Sequence, residues 1–417
     1  MDQTLVLFED SLWRDLRPLT DTLPVPALAF GAASLAERWR RASRLPLAAC
    51  LARPAVLAAW RDAPGPGPAA AGDLVLVNAA ALPGPWFEVV RAAKPPAVFA
   101  ADGVIVAARA DASWIAPRPE GRPIEERLRA LGSARAVAAR RLAWPWELIA
   151  WNAEAIGEDL EGLGGACEGE VHPGVARLEP QRITVRRGAR VDPFAVLDAR
   201  GGPILIDQGA VVLPHTVVTG PCVVGPRTQL LGGFVSRTTF GPECRVAGEV
   251  EECVWQGYAN KRHHGFVGHS WIGEWVNLGA LTTTSDLKNN YGPVRVWVDG
   301  REIDSGSSKV GALIGDHAKT GIGTLLPTGA SVGTGSNLFA GGRFAPKHLP
   351  PFSWWDGERN AEHRIEPFLS TARIAMSRRA RELSAADEAL LRRAFADSAA
   401  ERERYDPRRE TVPERRG

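Results

Sequence analysis

The 417-residue sequence predicts an α/β domain followed by a triangular parallel β-helix of hexapeptide repeats and a helical tail. Three observations carry that prediction. Short apolar runs alternate with helical patterns up to residue 160, an aliphatic residue then recurs at every sixth position, and the chain ends in amphipathic stretches. The length suits more than one domain. With 45% hydrophobic and 24% charged residues, the chain has enough apolar surface to bury a core.

In the front part, Leu5–Phe8 and Leu74–Val77 are short apolar runs that read as buried strands. Ser34, with Glu37 three residues on, reads as a capping-box helix start. Ala97–Ala100 and Val104–Ala107, joined through Asp102-Gly103, predict a hairpin. Helices are expected over 125–141 and 147–160, and a Pro/Gly-rich surface loop over 64–72. Domain limits of 1–165, 175–345 and 346–417 follow.

From residue 180 the period is six. Val185, Val191 and Leu197 begin it; Ile206, Val212, Val218, Val224 and Leu230 continue it; Ile314, Thr320, Leu326, Val332 and Leu338 resume it. Each hexad supplies one flat face and one corner of a prism, with the aliphatic residue pointing inward. Stacked coils then bury a continuous column. The period breaks over 231–271 and 284–312, where protruding loops are expected. The tail should be helical over 374–383 and 385–404, with the last dozen residues frayed.

Composition narrows the function. Lys+Arg 50 against Asp+Glu 48 gives a net charge of +2, which argues against a polybasic nucleic-acid binder. No apolar run approaches the roughly 18 residues of a membrane span, and the first ten residues lack the basic and apolar regions of a signal peptide. Five scattered cysteines fit a reducing compartment, so a cytoplasmic protein with no membrane or nucleic-acid partner is expected. Of the 50 basic residues only 6 are lysines, and five of those (Lys261, Lys288, Lys309, Lys319 and Lys347) lie between 261 and 347.

The chemistry concentrates in the same stretch. His263, His264 and His269 fall within seven residues, followed by the polar run Thr282 to Tyr291. Amide, imidazole and ammonium groups in such density need partners if buried, and so mark a polar ligand site.

The motif Asn260-Lys261-x-His263-x-Gly265-Phe266-x-Gly268-His269-Ser270, followed by Gly273-Glu274-Trp275-Val276-Asn277-Leu278-Gly279-Ala280, resembles a known family. It is that of the two-domain sugar nucleotidyltransferase-like proteins, relatives of the bifunctional N-acetylglucosamine-1-phosphate uridyltransferase/glucosamine-1-phosphate acetyltransferases. Ser285-Asp286-Leu287-Lys288-Asn289-Asn290-Tyr291, Gly315-Asp316-His317-x-Lys319-Thr320-Gly321 and Phe352-Ser353-Trp354 belong to the same pattern.

The resemblance implies a nucleotidyltransferase-like α/β domain and a left-handed β-helix that transfers an acyl group, acetyl above all, from acetyl-CoA to a sugar phosphate or nucleotide sugar. A homotrimer with sites between subunits goes with it. Carried over, His263 is the general base and Asn277 the residue near the acetyl group and sugar amine, with His269 placed beside them. Asn260, Lys261, Lys288, Asn289, Asn290 and Tyr291 would bind the acceptor. Gly279, Ala280, Lys319, Thr320 and Arg343 would bind CoA. In the front domain Thr20, Asn78 and Asn152 are the candidates, with Mg2+ required only if that site works.

Two departures from the family pattern matter. Leu281 stands where a glycine is usual in Gly-Ala-Gly-Thr, and three cations expected in the front domain fall at Leu23, Ala29 and Ala80. Nucleotide transfer needs cations around a triphosphate, so their loss argues against uridyltransferase activity. Three alternatives stay open: both sites active, a non-catalytic scaffold, and a zinc β-helix enzyme using His264 and His269. Zinc lacks an obvious third ligand. The interval from His215 to His264 is not a whole number of three-hexad coils, and the repeat between them is broken.

Overall fold

The computed structural model describes residues 3–61, 63, 72–115, 123–339 and 341–405. The loop expected over 64–72, residue 72 excepted, and the final dozen residues lie outside the described residues. The chain divides into two compact units. One holds the residues up to Leu16 with Leu23–Leu28 and Ala33–Trp144; the other holds Arg17–Thr22, Ala29–Ala32 and everything from Pro145. The break between the compact units therefore falls at 144/145, inside the front domain expected over 1–165. Helix Asn152–Leu160 belongs with the second unit because Ile156 and Leu160 bury against Leu205 and Val223.

The first unit is a six-stranded sheet in the order Leu47–Leu51, Gln3–Phe8, Asp73–Asn78, Val104–Asp111, Ala97–Ala101, Ala134–Ala136. The first three strands are parallel. The expected hairpin closes through Asp102 and Gly103, both at positive φ as the tight turn demands. Ser34 caps helix Leu35–Ser43, its Oγ accepting from the Glu37 N–H at 3.2 Å. The long helix expected over 125–141 is corrected. It is confined to Ile124–Arg129, because Gly132 (φ 138) leaves the helical region and Ala134–Ala136 pairs alongside Val98–Ala100.

The second unit is a parallel β-helix. One of its sheets stacks nine strands from Ile183–Val185 to His348–Leu349. All the hexad residues from Val185 to Leu338 are buried, so the six-residue period is the inward column. Regular coils advance by three hexads, as from Ile204 to its partner Cys222 and from Leu313 to Ser331. Cys222, Cys244 and Cys253 are free and fully buried in this column; burial pushes the first two thiols up to about 12.

The two expected breaks differ in kind. The first is not an excursion. Val223 pairs with Thr239, Thr239 with Val254 and Val254 with Trp271, so the coils continue but shorten. Gly232 and Gly233, both at φ 109, carry strand Gln229–Ser236 around a corner without separate turn residues, which erases the period from the sequence. The second break is a true insertion: Trp271 pairs with Leu313, and the interval contains the hairpin Arg295–Val298/Arg301–Asp304. The β-helix also outruns 175–345. Glu170–Val171 opens it, and His348–Leu349 and Ser353–Trp355 complete its last coil.

One corner of successive coils is occupied by Arg227, Glu243, Tyr258, Trp275, His317, Gly335 and Phe352, all at positive φ. The side chains at this corner stack outside the prism, Tyr258 on Trp275 at 4.3 Å, and Phe352 meets Phe368 of helix Ile365–Ser377 at 5.1 Å. That helix stops at Ser377, not 383, and the chain turns at Ala380 (φ 52). Ser384 and Asp387 form a capping box for Ala385–Asp397, and Ala399–Arg404 completes the tail. Among the described residues no helix is long and apolar enough to cross a membrane.

Candidate active site on the β-helix

The shortened coils bring the histidine segment and the Val276-Asn277-Leu278 segment into register. Asn260 pairs with Asn277 across the ladder, and the Asn260 Nδ2 donates to Asn277 Oδ1 at 2.7 Å. At the adjoining corner the Leu281 N–H donates to the His264 carbonyl at 2.8 Å. His263 and Asn277 therefore lie on adjacent coils at one edge of the prism. The outward column continues through Lys319 to Asn337, giving an amide–amide–ammonium–amide row along the axis. His263 and His264 are exposed on the corner between strands Asn260–Lys261 and Phe266–Gly268, and their rings have no hydrogen-bond partner among the described residues.

His269 lies at the far end of Phe266–Gly268, on a different corner from His264, so the two imidazoles are not offered to one ion together. It is largely buried, at φ 45, with Nδ1 2.7 Å from Asp286 Oδ2 and Nε2 3.2 Å from Glu252 Oε2. Glu252 in turn pairs with Arg237 at 2.8 Å. Arg237, Glu252 and His269 occupy the same corner of successive coils, so charges alternate up the stack. Burial opposes the imidazolium, but the two carboxylates outweigh it and raise His269 to about 9. The hydrogen bond from His269 is also the main reason that Asp286 and Glu252 stand below their ordinary values. With both ring nitrogens engaged, this imidazole is a fixed cation at neutral pH rather than a base.

The other candidates separate into exposed and enclosed groups. Asn289, Asn290 and Tyr291 are exposed on the loop leading into the inserted hairpin, Asn290 Oδ1 accepting from the Gly292 N–H at 3.1 Å, and Lys288 is half-buried beside them. Lys261 is the exception in this set. It pairs with Val246 in the inward column, is fully buried, and donates to the carbonyls of Ala247 and His263 at 3.0 and 2.9 Å. Its ammonium faces the prism interior, which corrects the expectation that it meets an acceptor phosphate.

Lys319 is half-exposed and donates to the His317 carbonyl at 3.1 Å, and burial pushes it down to about 8. The Gly279 N–H donates to Thr320 Oγ1 at 3.0 Å, and a Cβ on Gly279 would lie 2.7 Å from the Gly321 carbonyl oxygen. Ala280 accepts from the Gly323 N–H at 2.8 Å. Arg343 is exposed and paired with Glu358.

Leu281 adopts φ 62 and is 58% exposed. A side chain in the left-handed region costs roughly 1–2 kcal/mol, while glycine loses about 0.5–1 kcal/mol of backbone entropy. Leu281→Gly should therefore change stability by no more than about 1 kcal/mol, read from the denaturation midpoint. A larger loss would mean that the exposed leucine is packed in the assembled protein.

In the first unit Asn78 ends a parallel strand, where α/β sheets bind ligands. Its amide is held at both ends: Nδ2 donates to Asp10 Oδ2 at 2.8 Å, and Oδ1 accepts from the Ala80 N–H at 3.0 Å. Thr20 and Asn152 belong to the second unit and are fully buried, Asn152 Oδ1 accepting from the Gly31 N–H at 2.9 Å and Nδ2 donating to Thr239 Oγ1. Thr20 and Asn152 thus fall in a different compact unit from Asn78, and the amide oxygen of each asparagine already accepts a hydrogen bond. Leu23 and Ala80 are buried. Arg53, which the sequence did not single out, donates to the Leu23 carbonyl at 2.8 Å and pairs with Glu9.

Comparison with known proteins carries the front domain past the break between the two compact units. Residues 5–166 match the family model described as sugar nucleotidyl transferase. The front of the chain is a sugar nucleotidyl transferase-type domain. A bifunctional sugar-1-phosphate nucleotidylyltransferase/acetyltransferase of Sulfurisphaera tokodaii is 38% identical over 22% of this chain and 23% of its own length. A bifunctional protein GlmU of Methanococcus vannielii is 30% identical over 31% of this chain and 27% of its own. The chain thus spans about a quarter of the length of these relatives, the first of which is a transferase by name. A solved UDP-N-acetylglucosamine acyltransferase from Campylobacter jejuni matches 58% of this chain and 88% of that one, at 14% identity and a TM-score of 0.20. So loose a superposition adds nothing to the fold, which rests on the strand registers.

Beside the sugar nucleotidyl transferase-type domain, then, the β-helix site contains groups that the sequence reading left out. Glu252 and Arg237 carry no motif in the sequence, and Asp286 stands in one without a role of its own. Arg237, Glu252 and His269 follow one another at intervals shorter than a regular coil, a signal visible only once the short coils are known.

Proposed function

We propose that the β-helix transfers an acyl group, acetyl first among them, from coenzyme A to an amino or hydroxyl group of a sugar phosphate or nucleotide sugar. The observation that carries this reading is the pairing of the His263 and Asn277 segments on adjacent coils, tied by the Asn260–Asn277 bond. The acceptor nitrogen or oxygen attacks the thioester carbonyl carbon, and the exposed His263 imidazole takes the proton shed as the tetrahedral intermediate forms. Amide groups along the Asn260–Asn277 row supply the type of donor that stabilises an oxyanion. Collapse breaks the C–S bond, and the CoA thiolate leaves with the proton returned from the imidazole. Lys319 sits next along the row from Asn277, where a CoA phosphate or polar arm would pass. Assembly as a homotrimer belongs to this reading, and the large exposed side chains Phe234 and Phe344 favour burial between subunits.

The test is CoA release from acetyl-CoA across aminosugar 1-phosphates and nucleotide sugars. Release with one of them supports the assignment, and no release and no CoA binding would favour the scaffold reading. The front domain is expected to give little or no pyrophosphate from UTP, N-acetylglucosamine 1-phosphate and magnesium. The absent cations at Leu23, Ala29 and Ala80 and the hydrogen-bonded Asn78 amide are the reasons. Robust magnesium-dependent pyrophosphate release would show that other residues, Arg53 first among them, supply the charge.

A further inference from the structure

We infer that Lys261 is a positioning residue for His263, holding from inside the prism the loop that carries the imidazole. The inference rests on the reading of His263 as the base. An ammonium in an aliphatic column costs free energy unless its protons find acceptors. Lys261 stands in register with Val246 in the coil before it and, one residue past the Asn260–Asn277 pair, level with Leu278 in the coil after it, both core residues of the column. Its Nζ reaches the carbonyl of Ala247 in one coil and that of His263 in the next.

The backbone is shaped to admit it. Gly248 adopts φ 91, and a Cβ there would lie 3.1 Å from the Lys261 Nζ and 2.7 Å from the Gly265 carbonyl oxygen. Across the loop, three consecutive carbonyls are each tied. That of His263 accepts from Lys261, that of His264 from the Leu281 N–H at 2.8 Å, and that of Gly265 from the Glu249 N–H at 3.2 Å. Two of these donors are backbone groups of neighbouring coils, and any sequence with this fold would supply them. Lys261 alone is a side chain. The imidazole beyond it is exposed and has no partner of its own among the described residues, so its direction is set by the backbone that Lys261 holds.

Without the ammonium, the carbonyls of Ala247 and His263 are left in the interior without a donor. A buried acceptor in that state costs about 1–3 kcal/mol. The His263 peptide can escape this by turning outward, which moves the imidazole, whereas the Ala247 peptide lies between paired strand segments. The burial that fixes Lys261 also pushes its ammonium down to about 8, which agrees with a desolvated structural donor.

The test compares Lys261→Met with wild type in the full-length protein, using acetyl-CoA and glucosamine 1-phosphate for rates and 13C-labelled histidine for ring resonances. The His263 line is assigned by its loss in His263→Ala. The expected result is a kcat at least tenfold lower with the KM for acetyl-CoA within twofold. The His263 resonance should be shifted or broadened and that of His269 unchanged. A wild-type kcat and His263 line would overturn the inference. So would joint movement of the His263 and His269 lines with the denaturation midpoint, because that marks a general structural role. If Lys261→Met does not fold, Lys261→Ala is read with added n-propylammonium. Return of the His263 line and of turnover supports the inference, and no return overturns it. Should His263→Ala itself keep full turnover, the base assignment fails, and the resonances alone still judge what Lys261 holds.

Discussion

His263→Ala is expected to lower kcat by roughly 10²–10⁴ while leaving affinity for acetyl-CoA nearly intact. Proton removal from the attacking group belongs to the transition state, so kcat and kcat/KM should fall together. His264→Ala should be far milder. Its carbonyl, which the substitution keeps, makes the contact to Leu281, while its ring stands exposed on the corner. Steady-state kinetics of the two variants, with CoA affinity by calorimetry, check this. A contrary pattern is equally concrete: His263→Ala silent, His264→Ala and His269→Ala equally damaging, and activity lost to a chelator. The acyl-transfer reading would then give way to the metal one.

His269→Ala should act mainly on stability, lowering it by about 3 kcal/mol, since it strands Asp286 and Glu252 on one corner without the cation between them. The pH dependence follows from the directions of the shifts. His269 is raised from 6.5 to about 9, so its contribution is complete below pH 6.5 and is lost as pH rises through about 9. Asp286 and Glu252 are lowered from 3.8 and 4.5, so theirs is complete above those values and is lost as pH falls through their depressed ones. The difference between wild type and His269→Ala should therefore be greatest between about pH 4.5 and 6.5 and shrink towards pH 9. Urea midpoints at pH 6 and pH 9 measure it. An equal difference at both would mean that the imidazole is not held as a cation.

The two histidines show why some of the site was legible and some was not. His263 and Asn277 are read from sequence because their fourteen-residue interval belongs to a motif, and the fold then places them on adjacent coils. The charge stack has no such mark, because Arg237, Glu252 and His269 are aligned by coils of irregular length. Lys261 reads as one more cation in a polar motif, yet the register puts it in the column with Val246. Asn78 and Asn152 read as possible metal or ribose contacts, and each is hydrogen-bonded by neighbours within its own compact unit.

The sequence by itself determined the β-helix, because a side chain at every sixth position is enough to specify which residue turns inward on a flat three-sided coil. It determined the strands and the hairpin of the front sheet through local apolar runs and an Asp-Gly turn. Tertiary structure alone decided how regular and shortened coils stack, and hence which charges meet at a corner and which lysine turns inward. The physical reason is that local pattern fixes the direction of a side chain within one coil. The partner of that side chain depends on the register to the next coil, and glycines at positive φ, Gly232 and Gly233 and then Gly248 and Gly265, fall one coil after another where that register shortens, without leaving a period to read.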